Sequence, residues 1–190
     1  MTDRTTWSER HERGAPASPP SPFVRERAQA IAALSPHPRA LDLACGAGRH
    51  ARLLAELGFE TIALDFALPA LRRIRDREPR VLAVAADATR LPLAEDCFDL
   101  VVQTCFLDRA LFPSLARLLR PGGVLVAETF ARAQFEATGH PRREFCVEPG
   151  ELARLCGPDG AGLEIVAVES TNRGDDHHPR HLDAVEARRP

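Results

Sequence analysis

The chain has 190 residues, 44% of them hydrophobic, enough for one sizeable core and in the usual range of a single domain. Its 25 basic and 27 acidic side chains nearly cancel, so no global field recruits nucleic acid or a membrane surface, and the expected partner is a small molecule met by a monomer or homodimer. No apolar stretch approaches the ~20 residues that span a bilayer, and the polar N-terminus lacks the apolar core of a signal peptide, which makes the cytoplasm the expected compartment.

Residues 1–22 carry Trp7 and then Pro16, Pro19, Pro20 and Pro22 among Ala and Ser, a composition that favours extended backbone and reads as an arm or lid. The domain proper is expected over 23–190. A helical pattern from Phe23 to Leu34 stops before Pro36 and Pro38. Short apolar runs then read as buried strands: Ala40 to Ala44, Thr61 to Leu64, Val81 to Ala85, Phe98 to Val102 and Val124 to Ala127. Helical patterns separate them. Leu53, Leu54 and Leu57 end at Gly58; Leu68, Leu71 and Ile74 mark one face of a second helix; a third starts near Pro113 and is stopped by Pro121-Gly122-Gly123. Further on, Pro149 to Leu155 reads as a short helix, Leu163 to Val168 as a strand, and Leu182 to Ala187 as its antiparallel partner. Such alternation implies an α/β fold, a doubly wound and mostly parallel seven-stranded sheet closed by a C-terminal antiparallel hairpin.

The first strand runs directly into Cys45-Gly46-Ala47-Gly48-Arg49-His50, a glycine-rich turn opening a helix, where backbone N–H groups face a nucleotide-like ligand. With Ala51 the turn also satisfies the dinucleotide fingerprint, so an NAD-dependent oxidoreductase is an alternative reading. The absence of Tyr and Lys counts against it, because no Tyr-Lys pair, Lys Schiff base or Lys general base is then available. Three acids occur one strand–helix unit apart: Asp42 within strand one, Asp65 closing strand two and Asp87 closing strand three. Carboxylates there project over the carboxyl edge of the sheet, where open α/β folds bind ligands, and an acid ending strand two can accept both hydroxyls of a ribose. At such an open edge Asp65 is expected to contribute little to the core.

Through Leu41-Asp42-Leu43-Ala44-Cys45-Gly46-Ala47-Gly48, Leu64-Asp65, Ala86-Asp87-Ala88 and Leu119-Arg120-Pro121-Gly122-Gly123, the sequence resembles the class I S-adenosylmethionine-dependent methyltransferases over about residues 23–190. Within them, Trp7 to His11, Glu128-Thr129-Phe130 and Phe145 to Leu152 look like the small tellurite-resistance-type and thiopurine-type branch. The resemblance implies a Rossmann-like fold and S-adenosyl-L-methionine as cofactor, released as S-adenosyl-L-homocysteine. It also implies roles: Asp42, Ala44, Cys45, Gly46 and Gly48 near the methionine part, Asp65 on the ribose, Phe66, Asp87 and Ala88 around the adenine. Gln103 lies where the family offers a backbone carbonyl to the methionine amine. Ala44 stands where the commonest family pattern has glycine, and Ala67 replaces a frequent Ser after the ribose acid, removing an N-cap.

Blander readings stand beside these. Asp42 equally satisfies nearby backbone groups, Phe66 equally packs in a core, and the Arg72, Arg73, Arg75, Arg77 run is a solvated helix face. The five cysteines, odd in number and widely spaced, read as free thiols, and Cys105 as a small buried residue before a nucleophile. His177, His178 and His181 with Asp175 and Asp176 do not present one preorganised face, and no metal is expected. His50 reads as a cap or as a neighbour of the methionine carboxylate. Methyl transfer is an in-line displacement that needs alignment and dryness but no triad. A soft acceptor requires only a nearby cation or weak base, for which His140, Arg142, Arg143, His178 and Arg180 are the candidates. The expectation is therefore a methyltransferase acting on a small molecule, with a non-catalytic cofactor-binding regulatory module as a further alternative.

Overall fold

In the computed structural model, which describes residues 18–174 and 178–190, the Ser21 hydroxyl accepts from the Val24 N–H and Pro22 fills the first turn of helix α1 (Pro22–Ala32). The chain then alternates: β1 (Arg39–Leu43), α2 (Arg49–Glu56), β2 (Glu60–Asp65), α3 (Leu68–Arg77), β3 (Leu82–Ala85), β4 (Phe98–Thr104), α4 (Phe112–Leu118), β5 (Leu119–Phe130), α5 (Arg132–Thr138), α6 (Glu151–Cys156), β6 (Glu164–Asn172) and β7 (His181–Arg188). The seven strands form one sheet in the order β3-β2-β1-β4-β5-β7-β6. β7 runs antiparallel to both β5 and β6, while the pairs among β1 to β5 are parallel. The doubly wound sheet with a closing antiparallel hairpin is thus the observed architecture.

Every residue of β4 is buried, because helices cover both faces of the sheet's centre. On one face Phe23, Val24 and Ala28 of α1 and Leu53 and Leu54 of α2 pack on Leu100, Val102, Val124 and Val126. On the other, Phe112 and Leu115 of α4 and Leu152 and Cys156 of α6 pack on Leu41, Leu43, Val101 and Leu125. Each such large apolar side chain contributes roughly 1.5–3 kcal/mol by leaving water. Burial also pushes the Cys156 thiol up to about 12, which marks it as a core filler.

Two differences from the sequence reading have simple causes. Helix α5 has no apolar stripe, Gln134 being its only buried residue, so periodicity could not reveal it. Leu119 already pairs with Phe98, and the exposed Pro121-Gly122 turn loops out before pairing resumes at Leu100 and Val124. Gly122 supplies the left-handed turn at φ 79°, and at Gly123 a Cβ would meet the Phe98 carbonyl oxygen at 2.7 Å.

Candidate functional site

β1 lies between β2 and β4, the position where successive connections leave in opposite directions and open a crevice at the carboxyl edge of the sheet. The chain turns there through three left-handed residues, Ala44 (φ 51°), Gly46 (φ 53°) and Gly48 (φ 75°), before α2 begins. Gly48 is constrained twice, since a Cβ would lie 2.6 Å from Cγ1 of Ile74 on α3. Asp65, ending β2, ties this loop together: one carboxylate oxygen accepts the Gly46 N–H at 2.8 Å and the other the Ala67 N–H at 2.8 Å. Only 7% exposed, Asp65 is a structural element of the edge as well as a ligand candidate, contrary to the expectation that it contributes little. Ala67 stands at the N-cap of α3 without a side-chain bond, and its own N–H is the one that Asp65 holds.

Asp42 lies one layer deeper and accepts the Ala51 N–H at 2.8 Å, holding the first turn of α2 over β1. Burial drives its carboxyl up to about 7, against the opposing pull of that hydrogen bond and of Arg49. Burial likewise raises the Cys45 thiol. The Ala51 hydrogen bond favours the backbone-satisfying reading of Asp42.

His50 departs from its expected role. Fully buried, its Nε2 accepts the Ser21 N–H at 3.1 Å, which leaves Nδ1 protonated and facing the Thr104 hydroxyl at 3.3 Å. Burial first, then the charges of Arg49, Arg180 and Arg173, push it down to about 3, so it is neutral at ordinary pH. Ser21 extends the network by donating to Glu128 at 2.7 Å, and buried Glu128 is paired with Arg173 at 2.7 Å. Four chain segments, the end of the arm, α2, β5 and the end of β6, are locked together. Glu128-Thr129-Phe130 owes its first residue to that lock.

Arg109 makes the second clamp. It pairs with Glu151 at 2.6 Å and donates to the carbonyls of Glu144 and Cys146, joining the segment after β4 to the one before α6. Glu151 in turn accepts the Glu148 N–H at 2.7 Å. The Pro149-Gly150-Glu151-Leu152 signal is this clamp, and neither Arg109 nor Arg173 was visible in the sequence because their acids lie 42 and 45 positions away.

The other expected positions are distributed around the edge. Asp87 follows the end of β3 by two residues, its Oδ1 accepting both the N–H and the hydroxyl of Thr89, with Ala88 beside it. Gln103 is buried near the end of β4; its amide nitrogen donates to the Phe106 carbonyl, while its Oε1 has no hydrogen-bond partner. Phe66 is half-buried directly after Asp65. Of the cation candidates only Arg180 reaches the centre, its Nη2 lying 3.6 Å from the sulfur of Cys105, which follows β4. Arg142 and Arg143 spend their charges on Glu144 and Glu148 in the exposed segment after α5, where His140 also lies. His178 is exposed before β7. Trp7 to His11, Asp175, Asp176 and His177 lie outside the described residues. All five cysteines are free, and the arginine run of α3 points away from buried Leu71 and Ile74.

Residues 40–123 match the family model of a methyltransferase domain. The chain is 38% identical over 105 residues to a demethylmenaquinone methyltransferase of Renibacterium salmoninarum, covering 53% of this chain and 44% of that protein. It is 42% identical over 97 residues to a malonyl-[acyl-carrier protein] O-methyltransferase of Pseudescherichia vulneris, covering 48% and 38%. The chain therefore spans less than half the length of these curated relatives. A SAM-dependent methyltransferase structure from Methanosarcina mazei superposes with a TM-score of 0.73 at 16% identity, over 90% of this chain and 99% of that one. The chain thus shares the fold of that SAM-dependent methyltransferase structure. Among the described residues no helix is long and apolar enough to cross a membrane.

Proposed function

We propose that this protein is a methyltransferase that transfers the methyl group of S-adenosyl-L-methionine to a small molecule, and that it falls in the tellurite-resistance-type and thiopurine-type branch. The observation that carries the reading is Asp65: its carboxylate closes β2 and grips the N–H of Gly46, so acid and glycine-rich loop form one preorganised unit at the sheet's switch point. A carboxylate oxygen accepting one N–H keeps a second lone pair, which suits a ribose diol. Ala44, Cys45, Gly46 and Gly48 present backbone close to the crevice, Asp42 holds α2 in place behind them, and Phe66, Asp87 and Ala88 flank the adenine side. The unpartnered Oε1 of buried Gln103 stands at the amine side. S-adenosylmethionine bound there supplies an electrophilic methyl on a sulfonium, and the protein's part is alignment and exclusion of water.

The arm, residues 1–22, belongs to this reading as a cover distinct from the domain of 23–190. Its described end touches the site's rim, where Arg49 donates to the Ser18 hydroxyl at 3.2 Å. The test is calorimetry with S-adenosylhomocysteine and NAD, followed by S-adenosylhomocysteine release against a panel of small acceptors. Binding of the former with turnover of at least one acceptor is expected. Tighter binding of NAD refutes the cofactor; binding without turnover of any acceptor points to a regulatory module.

A further inference from the structure

Three arginines meet at the carboxyl ends of β4 and β5, and among the described residues their charges are not equally compensated. Arg173 is paired with Glu128 at 2.7 Å and approaches Glu169 at 3.6 Å. Arg49 and Arg180 have no carboxylate partner among the described residues. Arg49, at the start of α2, sends Nη1 to the Ser18 hydroxyl and Nη2 to within 3.8 Å of the Cys105 sulfur. Arg180, just before β7, brings its own Nη2 to 3.6 Å from the same atom and rests over the Phe130 ring at 6.0 Å. Two guanidinium groups that would repel each other in isolation are thus aimed at one point by separate chain segments. Such a pair suits an anion, because planar forks converge most favourably on a carboxylate or oxyanion.

We infer that Arg49 and Arg180 form an anion-binding fork above Cys105 that holds a carboxylate or oxyanion of the methyl acceptor. The inference rests on the methyltransferase reading and deepens it, naming the acceptor as an anionic small molecule. Cys105 serves as a reporter here, not as a nucleophile. The cofactor's own carboxylate has the same chemistry, and the experiment separates the two sources.

The probe is a pair of alkylating agents of nearly equal size, anionic iodoacetate and neutral iodoacetamide, applied to the full chain saturated with S-adenosylhomocysteine and read by peptide mass spectrometry. The same thiolate attacks the CH2 carbon of either reagent and displaces iodide, so any difference in its ionisation cancels in the ratio of the two rates. Half-buried Cys97, remote from the fork, is the internal reference, whereas Cys45, Cys146 and Cys156 are buried. The iodoacetate-to-iodoacetamide ratio at Cys105 is expected to exceed that at Cys97 at least ~10-fold, the lower end of electrostatic focusing in a charged cleft. Arg49→Gln and Arg180→Gln should each reduce the excess. In the parent protein, sulfate at constant ionic strength should protect Cys105 and leave Cys97 unchanged, which needs no variant to fold. Equal ratios at the two cysteines, or an excess that survives both substitutions, overturns the fork. An excess present without S-adenosylhomocysteine and abolished by it assigns the fork to the cofactor carboxylate and overturns the acceptor role. Calorimetry on the same sample reads the underlying proposal separately: absence of S-adenosylhomocysteine binding overturns the methyltransferase reading and the acceptor role with it, while the labelling ratio still reports the fork.

Discussion

Asp65→Ala separates a mere ligand from an architectural residue. In the parent, each carboxylate oxygen takes one backbone N–H at 2.8 Å, from Gly46 and from Ala67, at a position only 7% exposed. Hydrogen bonds to a charged partner contribute about 1.5–3 kcal/mol each in net terms, so two of them set a loss of about 3 kcal/mol at the lower end. For a domain of this size each kcal/mol moves the thermal midpoint by about 2–4 °C, and the ligand-free variant should melt about 6–12 °C lower. If the same carboxylate also accepts the ribose hydroxyls, S-adenosylhomocysteine affinity falls at least ~10-fold, since ~1.4 kcal/mol is one decade. Asp65→Asn should fall between, because its single amide oxygen can accept from one N–H while its NH2 group confronts the other. Thermal melts without ligand and calorimetry with it read the two roles independently. A ligand-free midpoint within 2 °C of the parent refutes the architectural role. Affinity within a factor of two refutes the ribose assignment.

Two buried groups should make stability almost independent of pH in mild acid. His50, held at about 3 against 6.5 when exposed, favours the folded state more as pH rises from 3 to 6.5; Asp42, held at about 7 against 3.8, favours it less as pH rises from 3.8 to 7. Each slope is at most about 1.4 kcal/mol per pH unit and the two oppose, so in urea midpoints between pH 4.5 and 6.5 His50→Gln should grow less stable with rising pH and Asp42→Asn more stable, and parallel pH profiles of the two variants would sink this account. Gly48→Ala puts a Cβ 2.6 Å from Ile74 Cγ1 at φ 75°, and the left-handed cost of about 1–2 kcal/mol plus overpacking of about 1–3 kcal/mol should lower the melting midpoint measurably and weaken S-adenosylhomocysteine binding; a midpoint unchanged within 1 °C would show that α3 yields freely.

What could be read from the sequence was local. Apolar runs of four or five residues separated by helical stripes determine a parallel sheet whatever their partners, and the Gly46/Gly48 turn declares itself through residues adjacent in the chain. The site's long-range chemistry was not legible in the same way. Arg49 stands inside the glycine motif yet shows its role only when Arg180, 131 positions later, arrives at the same sulfur. His50 reads as a ligand neighbour until Ser21 and Thr104 close over it, because neither burial nor tautomer is written in the order of residues. The cation candidates illustrate the same point from the other side: Arg142 and Arg143 were as plausible as Arg180 by composition, and only nearby Glu144 and Glu148 remove them from consideration.

The departure of Ala44 from glycine acquires a physical meaning beside Cys105. Both are non-glycine residues in the left-handed region, at φ 51° and 55°, and they follow the adjacent strands β1 and β4. Such a conformation costs a side-chain-bearing residue roughly 1–2 kcal/mol, so it persists only where neighbours fix the backbone on both sides. Here they do: the Cys45 N–H donates to the Leu64 carbonyl at 3.1 Å, and the Cys105 N–H to the Glu128 carbonyl at 2.8 Å. One bond anchors the β1 turn to β2 and the other anchors the β4 turn to β5, so the two turns are drawn apart toward opposite neighbours. The opening between them is the crevice of the switch point, with Asp65 and the glycine loop on one side, Cys105 on the other, and the guanidinium groups of Arg49 and Arg180 converging on the Cys105 sulfur. Strain at two strand ends is therefore the backbone's contribution to the site, stabilised by the same parallel sheet that the hydrophobic pattern encodes.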